Sequence, residues 1–341
     1  MKRNCYTSVL YALASVLVGC GERPTAPRLD APAFSVVTIT DPTTVLIVDG
    51  VTVPSNVTVN GNLAGIVVVV DRATVDLSHA RVDCSQQPPL PDTIGVWIQG
   101  NRSRVRVTGG GTGIVTGCHI GVLVGQFDPN SSAPGGFDNQ VDGLLIQNSV
   151  GGTGDCFLQS CAIALSNSHD NIVDHNRIDG ATEGGIVVNG SNRSAAVSGN
   201  NTISNNTITG FGDFGIIVST DGNTVTNNVA LGWFWGIAVN ANRNHITGNQ
   251  VGYLGRSCGC IGIWLEDGAE SNAVTKNAEL EQVGNNGDTY FLVEATARNN
   301  TLSKNLATTT NGLDALDRSG DCINNKWFNN TFTSKDPACI R

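Results

Sequence analysis

Aromatic side chains are concentrated in three consecutive segments near the middle of the chain, at residues 209–214, 230–235 and 251–261. Aromatic residues make up only 6% of the sequence, so this concentration is informative. Aromatic rings stack on the apolar faces of sugar rings, whose hydroxyl groups then need polar partners. The same rings could instead turn inward and cover the bases of the segments. We predict that carbohydrate is bound by Phe211, Phe214, Trp233, Trp235, Tyr253 and Trp264.

Acidic residues near the same segments offer a second kind of chemistry. Hydrolysis of a glycosidic bond uses a pair of carboxyl groups, and two close carboxylates raise the pKa of one of them. Asp213, Glu266 and Glu294 are the candidates for such acids, although we assign no residue a catalytic role. The alternative is a solvated acidic surface, which a chain of net charge −9 is expected to carry.

A repeating pattern must position these residues. A phrase with Asn at its first and sixth places and an aliphatic residue at its third begins at Asn201, Asn223 and Asn244, at intervals of 22 and 21 residues. Each phrase is followed, after a variable gap, by a Gly-aliphatic-x-aliphatic segment. A period of this size indicates a solenoid, and the abundance of glycine and β-branched residues indicates short strands. The sequence therefore predicts an all-β fold.

The asparagine at the sixth place of the phrase recurs along the chain. We expect it at the bend between the second and third strands of each coil, where asparagine tolerates a left-handed backbone. Its side-chain amide can then bond to the same amide in the next coil. We predict a structural ladder of Asn176, Asn206, Asn228, Asn249, Asn277, Asn305 and Asn330.

The asparagine phrase and the segments such as Gly215-Ile-Ile-Val and Gly236-Ile-Ala-Val resemble the repeats of the pectin-lyase-like superfamily over about residues 75–335. That superfamily includes periplasmic copper-processing accessory proteins as well as lyases, hydrolases and adhesins. The resemblance implies a single-stranded right-handed parallel β-helix of roughly ten coils. It places binding on the outer face of the Gly-aliphatic-x-aliphatic strand and on the loops before it.

The residues that carry catalysis in enzymes of this superfamily are missing. The pectate lyases of this superfamily carry calcium-binding acids and a basic residue on the face of the central strands. Here the corresponding positions are Ala164, Val187, Ile217 and Ala238. Three functions remain open: carbohydrate binding, a polysaccharide lyase or glycoside hydrolase, and a non-catalytic structural or adhesive role. We expect no cofactor or metal, except calcium if the protein is a lyase.

The N-terminus predicts export and a lipid anchor. Lys2 and Arg3 precede a short apolar run, which is typical of a signal peptide. The run ends in Leu17-Val18-Gly19-Cys20, which resembles the lipobox of bacterial lipoproteins; an ordinary secretory signal with a chance cysteine is the alternative. We predict a signal peptide over 1–19, a diacylated Cys20, and a Pro/Ala-rich tether over 20–34. The β-helix then spans 35–341, with N-terminal cap coils and a disulfide-closed C-terminus.

The predicted anchor places the protein in the bacterial cell envelope, at the outer membrane, on the periplasmic side, or exposed at the cell surface. The membrane is contacted through the lipid alone. An acidic chain has no electrostatic footprint for nucleic acid and disfavours strongly anionic polymers. The expected partner is therefore a polysaccharide or other glycan.

Cysteines outside the signal peptide and the lipobox are even in number, which suggests disulfides in an exported chain. Solenoid geometry restricts partners to nearby coils. Cys258 and Cys260 are left open, because a bridge across one residue is strained and the pair could be reduced or bind a soft metal. We predict the bridges Cys84–Cys118, Cys156–Cys161 and Cys322–Cys339.

Overall fold

The computed structural model describes most of the second of two compact units, Phe34–Arg341. The described residues are 45–47, 56–58, 64–85, 93–127, 131–149, 161–181, 183–190, 198–253, 260–280, 288–308, 312–320 and 322–341. The predicted signal peptide, Cys20 and the tether lie outside them. None of the described helical structure is long and apolar enough to cross a membrane.

Short parallel strands wind through three sheets, and each coil adds one strand to each sheet. Neighbouring coils therefore lie about 4.8 Å apart, the usual spacing of hydrogen-bonded strands. This arrangement is a right-handed parallel β-helix, which confirms the predicted fold class and the estimate of roughly ten coils. We name the sheets A, B and C.

Sheet A contains the Gly-aliphatic-x-aliphatic segments and has 12 strands among the described residues. They are β1 (Val45–Ile47), β3 (Ala64–Val68), β6 (Ile94–Gln99), β9 (Ile120–Gly125), β12 (Cys161–Ser166), β15 (Gly184–Asn189), β18 (Phe214–Val218), β21 (Trp235–Val239), β24 (Ile261–Leu265), β27 (Asp288–Val293), β30 (Gly312–Asp317) and β33 (Lys335–Asp336).

Sheets C and B contain the two short strands of each asparagine phrase. Sheet C has 10 described strands: β4 (Thr74–Asp76), β7 (Arg106–Thr108), β10 (Gln140–Asp142), β13 (Ile172–Asp174), β16 (Thr202–Ser204), β19 (Thr224–Thr226), β22 (His245–Thr247), β25 (Ala273–Thr275), β28 (Thr301–Ser303) and β31 (Lys326–Phe328). Sheet B has 11: β2 (Asn56–Thr58), β5 (Arg81–Asp83), β8 (Ile114–Thr116), β11 (Leu145–Gln147), β14 (Arg177–Asp179), β17 (Thr207–Phe211), β20 (Val229–Gly232), β23 (Gln250–Tyr253), β26 (Ala278–Glu279), β29 (Leu306–Ala307) and β32 (Thr331–Phe332).

Columns of aliphatic side chains fill the interior. In sheet C the middle residue of each strand points inward, so Val225, Ile246 and Val274 stack in register and are fully buried. A single coil could not bury this row, because its apolar side chains would be covered by no neighbour. Burial of each such side chain contributes about 1.5–3 kcal/mol relative to exposure. The core is therefore continuous along the helix axis.

The predicted asparagine ladder is present at the bend from sheet C to sheet B. Oδ1 of Asn206 accepts bonds from the backbone N–H and the side-chain amide of Asn176, both at 3.0 Å. Nδ2 of Asn206 donates to the carbonyl of Val173 and to Oδ1 of Asn228, both at 2.9 Å. The ladder thus satisfies the backbone groups that the bend would leave unpaired.

The left-handed residue of this bend is not the ladder asparagine, and our prediction was wrong on that point. It is the residue before it, as in His175 (φ 52°), Asn205 (φ 53°) and Lys304 (φ 58°). The preceding residue makes the turn, so the ladder asparagine keeps an ordinary φ and its amide reaches the next coil. A second ladder, at the bend from sheet A to sheet C, was not predicted. It includes Asn171, Asn201, Asn223, Asn272 and Asn300.

Two of the three predicted disulfides are confirmed. Cys84–Cys118 joins neighbouring coils, with a Cα–Cα distance of 4.8 Å, and Cys322–Cys339 closes the C-terminus, with a Cα–Cα distance of 6.2 Å. The predicted Cys156–Cys161 bridge is wrong, because Cys161 is a free, buried thiol. It lies among apolar residues of sheet A, and burial, together with the charge of Glu183, raises its pKa to about 12.

Cys260, whose state the sequence left open, is disulfide-bonded. Its Sγ lies 2.9 Å from the carbonyl oxygen of Trp233. Cys156 and Cys258 lie outside the described residues.

Candidate functional site

The outer face of sheet A carries an apolar cluster that is separate from the interior core. The positions Ala164, Val187, Ile217 and Ala238 lie on this face and are at most 2% exposed. The middle of the face is therefore packed, not an open binding surface. Its members include Ala64, Ile94, Ile120, Leu123, Cys161, Ala164, Val187 and Ile217, against which Val67, Trp97, Phe127 and Phe214 pack.

Three aromatic side chains on neighbouring strands form a row that runs obliquely across this face, because Trp264 is in register with Ala238 and not with Trp235. We call them the aromatic ladder: Phe214, Trp235 and Trp264. Phe214 and Trp235 are in register on β18 and β21, and their ring centroids are 4.6 Å apart. The rings of Trp235 and Trp264 are 5.3 Å apart, and both pairs are inclined at 42°. All three rings are half-buried. The ladder presents a stepped aromatic surface.

Glycines behind the ladder allow it to face outward. A Cβ on Gly215 would lie 2.5 Å from the carbonyl oxygen of Gly236 and would point at the interior ring of Phe211. Gly215 and Ile216 therefore both face the interior, and Phe214 and Ile217 both face outward although they are three residues apart. A side chain larger than hydrogen at this position would push neighbouring coils apart.

Trp233 and Phe234 form an exposed tip beside the ladder, and their exposed fractions are 48% and 40%. They are the two residues between β20 and β21. Their backbone is fixed on both sides: Trp233 N–H donates to the carbonyl of Phe211 at 3.1 Å, and the Phe234 carbonyl accepts from Ile261 N–H at 3.0 Å. A tip held in this way loses little conformational entropy when a ligand binds.

Phe211 and Tyr253 were predicted to bind ligand, and that prediction is wrong. Both belong to the interior core and are at most 2% exposed. Phe211 occupies the space beside Gly232, where a Cβ would lie 2.1 Å from the ring, and Tyr253 packs on Tyr290 with centroids 5.1 Å apart. Side chains alternate between inward and outward along β23, so Tyr253, two residues after the buried Val251, could have been predicted to face the core. The pairing of β17 with β20 shifts its register between Thr209 and Phe211, so the same alternation does not predict the direction of the Phe211 ring.

A column of polar residues follows the ends of the sheet A strands. Backbone bonds hold the column in register, since Asn240 N–H donates to Val218 and Glu266 N–H donates to Val239. Asn189, Asn240 and Glu266 are half-exposed, whereas Ser219 is buried. The column therefore offers amide and carboxylate groups to a ligand that lies on the ladder.

The candidate acids do not converge on one point. Asp213 precedes β18, whereas Glu266 and Glu294 follow β24 and β27 at the opposite edge of sheet A. A strand of five residues spans about 17 Å, which exceeds the roughly 9.5 Å upper limit for paired carboxylates in glycosidases. Only Glu266 and Glu294 lie on adjacent strands. Glu294 is already engaged, because it accepts bonds from Trp264 and Arg318.

A serine, a histidine and an aspartate also meet on the outer face of sheet C. Asp174 accepts bonds from Ser204 Oγ at 2.6 Å, Asn205 Nδ2 at 2.8 Å and His175 Nδ1 at 2.6 Å. Partial burial would raise the pKa of Asp174, but these bonds lower it overall. Ser204 donates to the aspartate, not to the histidine, so the arrangement does not activate the serine as a nucleophile.

The fold and the repeats define the class: a right-handed parallel β-helix repeat protein. Residues 95–288, more than half of the chain, match the protein family described as NosD, periplasmic copper-binding protein. The chain belongs to that family. No curated protein matches its sequence.

Two similar solved structures are mutants of the tailspike protein of E. coli bacteriophage HK620, each in complex with a pentasaccharide. Both are 14% identical to the chain. One of these structures has a TM-score of 0.51, and the match covers 76% of this chain and 48% of the tailspike chain. The other has a TM-score of 0.50, and the match covers 73% of this chain and 44% of the tailspike chain. The chain thus spans less than half the length of these tailspikes, and at this identity the likeness shows the fold alone.

The family description implies copper, for which cysteine, methionine and histidine are suitable ligands. The five histidines all lie in the described parts of the chain, and the one methionine is Met1. No three His, Cys, Asp or Glu side chains in those parts could hold a metal ion together. Burial keeps the thiol of Cys161 protonated. The described residues therefore do not fit a copper site.

Proposed function

We propose that this protein binds a polysaccharide of neutral sugars through the aromatic ladder and the exposed tip formed by Trp233 and Phe234. The observation that carries the proposal is the continuity of the aromatic surface across three adjacent strands. Successive ring centroids are 4.6 and 5.3 Å apart, and the row runs obliquely across the sheet because Trp264 stands three residues beyond the register partner of Trp235. These distances are similar to the length of one pyranose unit, so a glycan that lies obliquely across the sheet could place successive sugars on successive rings.

The surroundings of the ladder support the same proposal. Sugar rings present apolar C–H faces and polar edges, and the ladder is bordered by the amide of Asn240 and the carboxylate of Glu266. The net charge of −9 disfavours uronic-acid polymers. Structural neighbours with the same fold were solved with a bound pentasaccharide, which agrees with a glycan as the ligand here.

The test is a glycan array probed with the purified full chain in detergent. We expect binding to neutral polysaccharides and little binding to polymers rich in uronic acid. No binding to any glycan would overturn the proposal and leave the structural or adhesive role. Binding only to anionic glycans would contradict the charge argument.

A catalytic role is the second candidate, favoured by one observation: Glu266 and Glu294 follow adjacent strands of sheet A. Incubation with neutral and uronic polysaccharides, with and without calcium, would reveal new reducing ends or unsaturated ends if the protein is a hydrolase or a lyase. Loss of those ends in Glu266→Gln would assign the activity to this column.

We also propose that the protein is anchored in the cell envelope through a lipid on Cys20. The lipobox Leu17-Val18-Gly19-Cys20 supports this anchor, and the periplasmic description of the family agrees with it. Two or more acyl chains give stable membrane attachment where one chain would be marginal. In cells that express Cys20→Ala, we expect unprocessed precursor or protein in the soluble fraction. Unchanged membrane fractionation would contradict the anchor.

A further inference from the structure

We infer that Glu294 is a positioning residue which, together with Arg318, fixes the indole ring of Trp264 in the aromatic ladder. The inference rests on the proposed function, because it explains how the shape of the surface that binds the glycan is fixed. It assigns to Glu294 a role different from that of a catalytic acid.

The three side chains stand on three adjacent strands of sheet A. Trp264 lies in β24, Glu294 directly follows β27, and Arg318 directly follows β30. The backbone holds them in register: Glu294 N–H donates to the carbonyl of Leu265 at 3.0 Å, and Arg318 N–H donates to that of Val293 at 2.9 Å. Their relative positions are therefore set by the sheet and not by a loop.

The carboxylate of Glu294 joins the other two side chains. Its Oε1 accepts the indole N–H of Trp264 at 3.3 Å, and Nη1 of Arg318 lies 3.1 Å from Oε1 and 3.2 Å from Oε2. The side chain of Glu294 is only 15% exposed, whereas that of Arg318 is 53% exposed. An ion pair with so exposed a partner adds little stability, so its main effect is on geometry.

The orientation of Trp264 matters because its ring is the last step of the ladder. The terminal torsion of a tryptophan side chain is broad, and a half-buried indole N–H needs a partner. The bond to Glu294 selects one orientation, in which the ring lies 5.3 Å from Trp235 at 42°. Without it, the ring could turn and alter the surface on which a sugar would rest.

The orientation can be measured without any glycan. Two indole rings this close produce a coupled circular-dichroism signal. Subtracting the spectrum of Trp264→Phe from that of the wild type isolates the contribution of the Trp235–Trp264 pair to this signal. We expect Glu294→Ala to lose most of this signal, and Glu294→Gln to keep it, because the amide oxygen can still accept the indole N–H. Asp317→Asn is a matched control, since Asp317 accepts the indole N–H of Trp327 away from the ladder at 2.7 Å.

The glycan experiment is separate. Glu294→Ala should weaken binding of a neutral polysaccharide about tenfold, and Glu294→Gln much less. An unchanged dichroism signal in Glu294→Ala would overturn the inference whatever the glycan result. Loss of a hydrolytic activity in both variants, with the signal intact, would also overturn it in favour of catalysis. A changed signal in a protein that binds no glycan would support the positioning role and refute only the proposed function.

Discussion

Replacing Trp235 by alanine is expected to weaken binding of a neutral polysaccharide about 30-fold. Trp235 is the central ring of the site, with Phe214 at 4.6 Å, Trp264 at 5.3 Å and Phe234 at 6.2 Å. Its removal deletes its own contact with the ligand and leaves the neighbouring rings unsupported. A central aromatic residue of this kind contributes roughly 2 kcal/mol or more to binding, and 1.4 kcal/mol corresponds to about a tenfold change. Isothermal titration calorimetry with the array-selected glycan measures the effect.

Matched variants separate ligand contact from damage to the fold. Trp233→Ala removes an exposed ring at the tip beside the ladder, and its effect should be smaller, about fivefold. Phe328→Ala removes an aromatic ring that is 43% exposed on sheet C, and it should leave the affinity unchanged. Trp235→Phe keeps an aromatic ring and should recover part of the binding. If Trp235→Ala and Trp233→Ala both bind as the wild type does, the ladder is not the glycan site.

The fold could be predicted because its causes are local and repeated. The apolar residue between two asparagines of each phrase must point inward in every coil, as Ile203, Val225 and Ile246 do. An incorrect assignment of inward and outward residues in one coil would disagree with the pattern in the neighbouring coils. The ladder of sixth-place asparagines was predictable for the same reason, since each amide bonds to the equivalent amide one coil away.

The site could be predicted only in part, because it lies where the repeat is interrupted. Trp235 lies against Phe214 and Trp264, and Trp233 is exposed two residues before it, but Phe211 and Tyr253 face the core. A local stretch does not show which way a ring turns when a neighbouring glycine opens space for it, as Gly232 does for Phe211. The state of Cys161 likewise depends on a packed outer face of sheet A that no repeat pattern reveals.

Replacing Asn228 by alanine is expected to lower the free energy of unfolding by about 4 kcal/mol. Oδ1 of Asn228 accepts the backbone N–H and the side-chain amide of Asn206, both at 2.9 Å. Its Nδ2 donates to the carbonyl of Ile203 at 2.9 Å and to Oδ1 of Asn249 at 3.0 Å. Alanine would leave these buried groups unpaired, and each unsatisfied buried group costs about 1–3 kcal/mol. Denaturant titration followed by circular dichroism measures the loss.

Asn330→Ala is the matched control, because Asn330 ends the same ladder and is half-exposed. The bonds that Asn330 accepts from Asn305 and donates to the carbonyls of Leu302 and Arg341 are part-buried or exposed. Water can therefore replace them, and the loss there should be only about 1 kcal/mol. Stability in a solenoid depends on contacts between adjacent coils, so an internal defect weakens the interfaces on both sides whereas a terminal one weakens a single interface. Equal losses at Asn228 and Asn330 would show that the ladder stabilises each bend separately and does not couple one coil to the next.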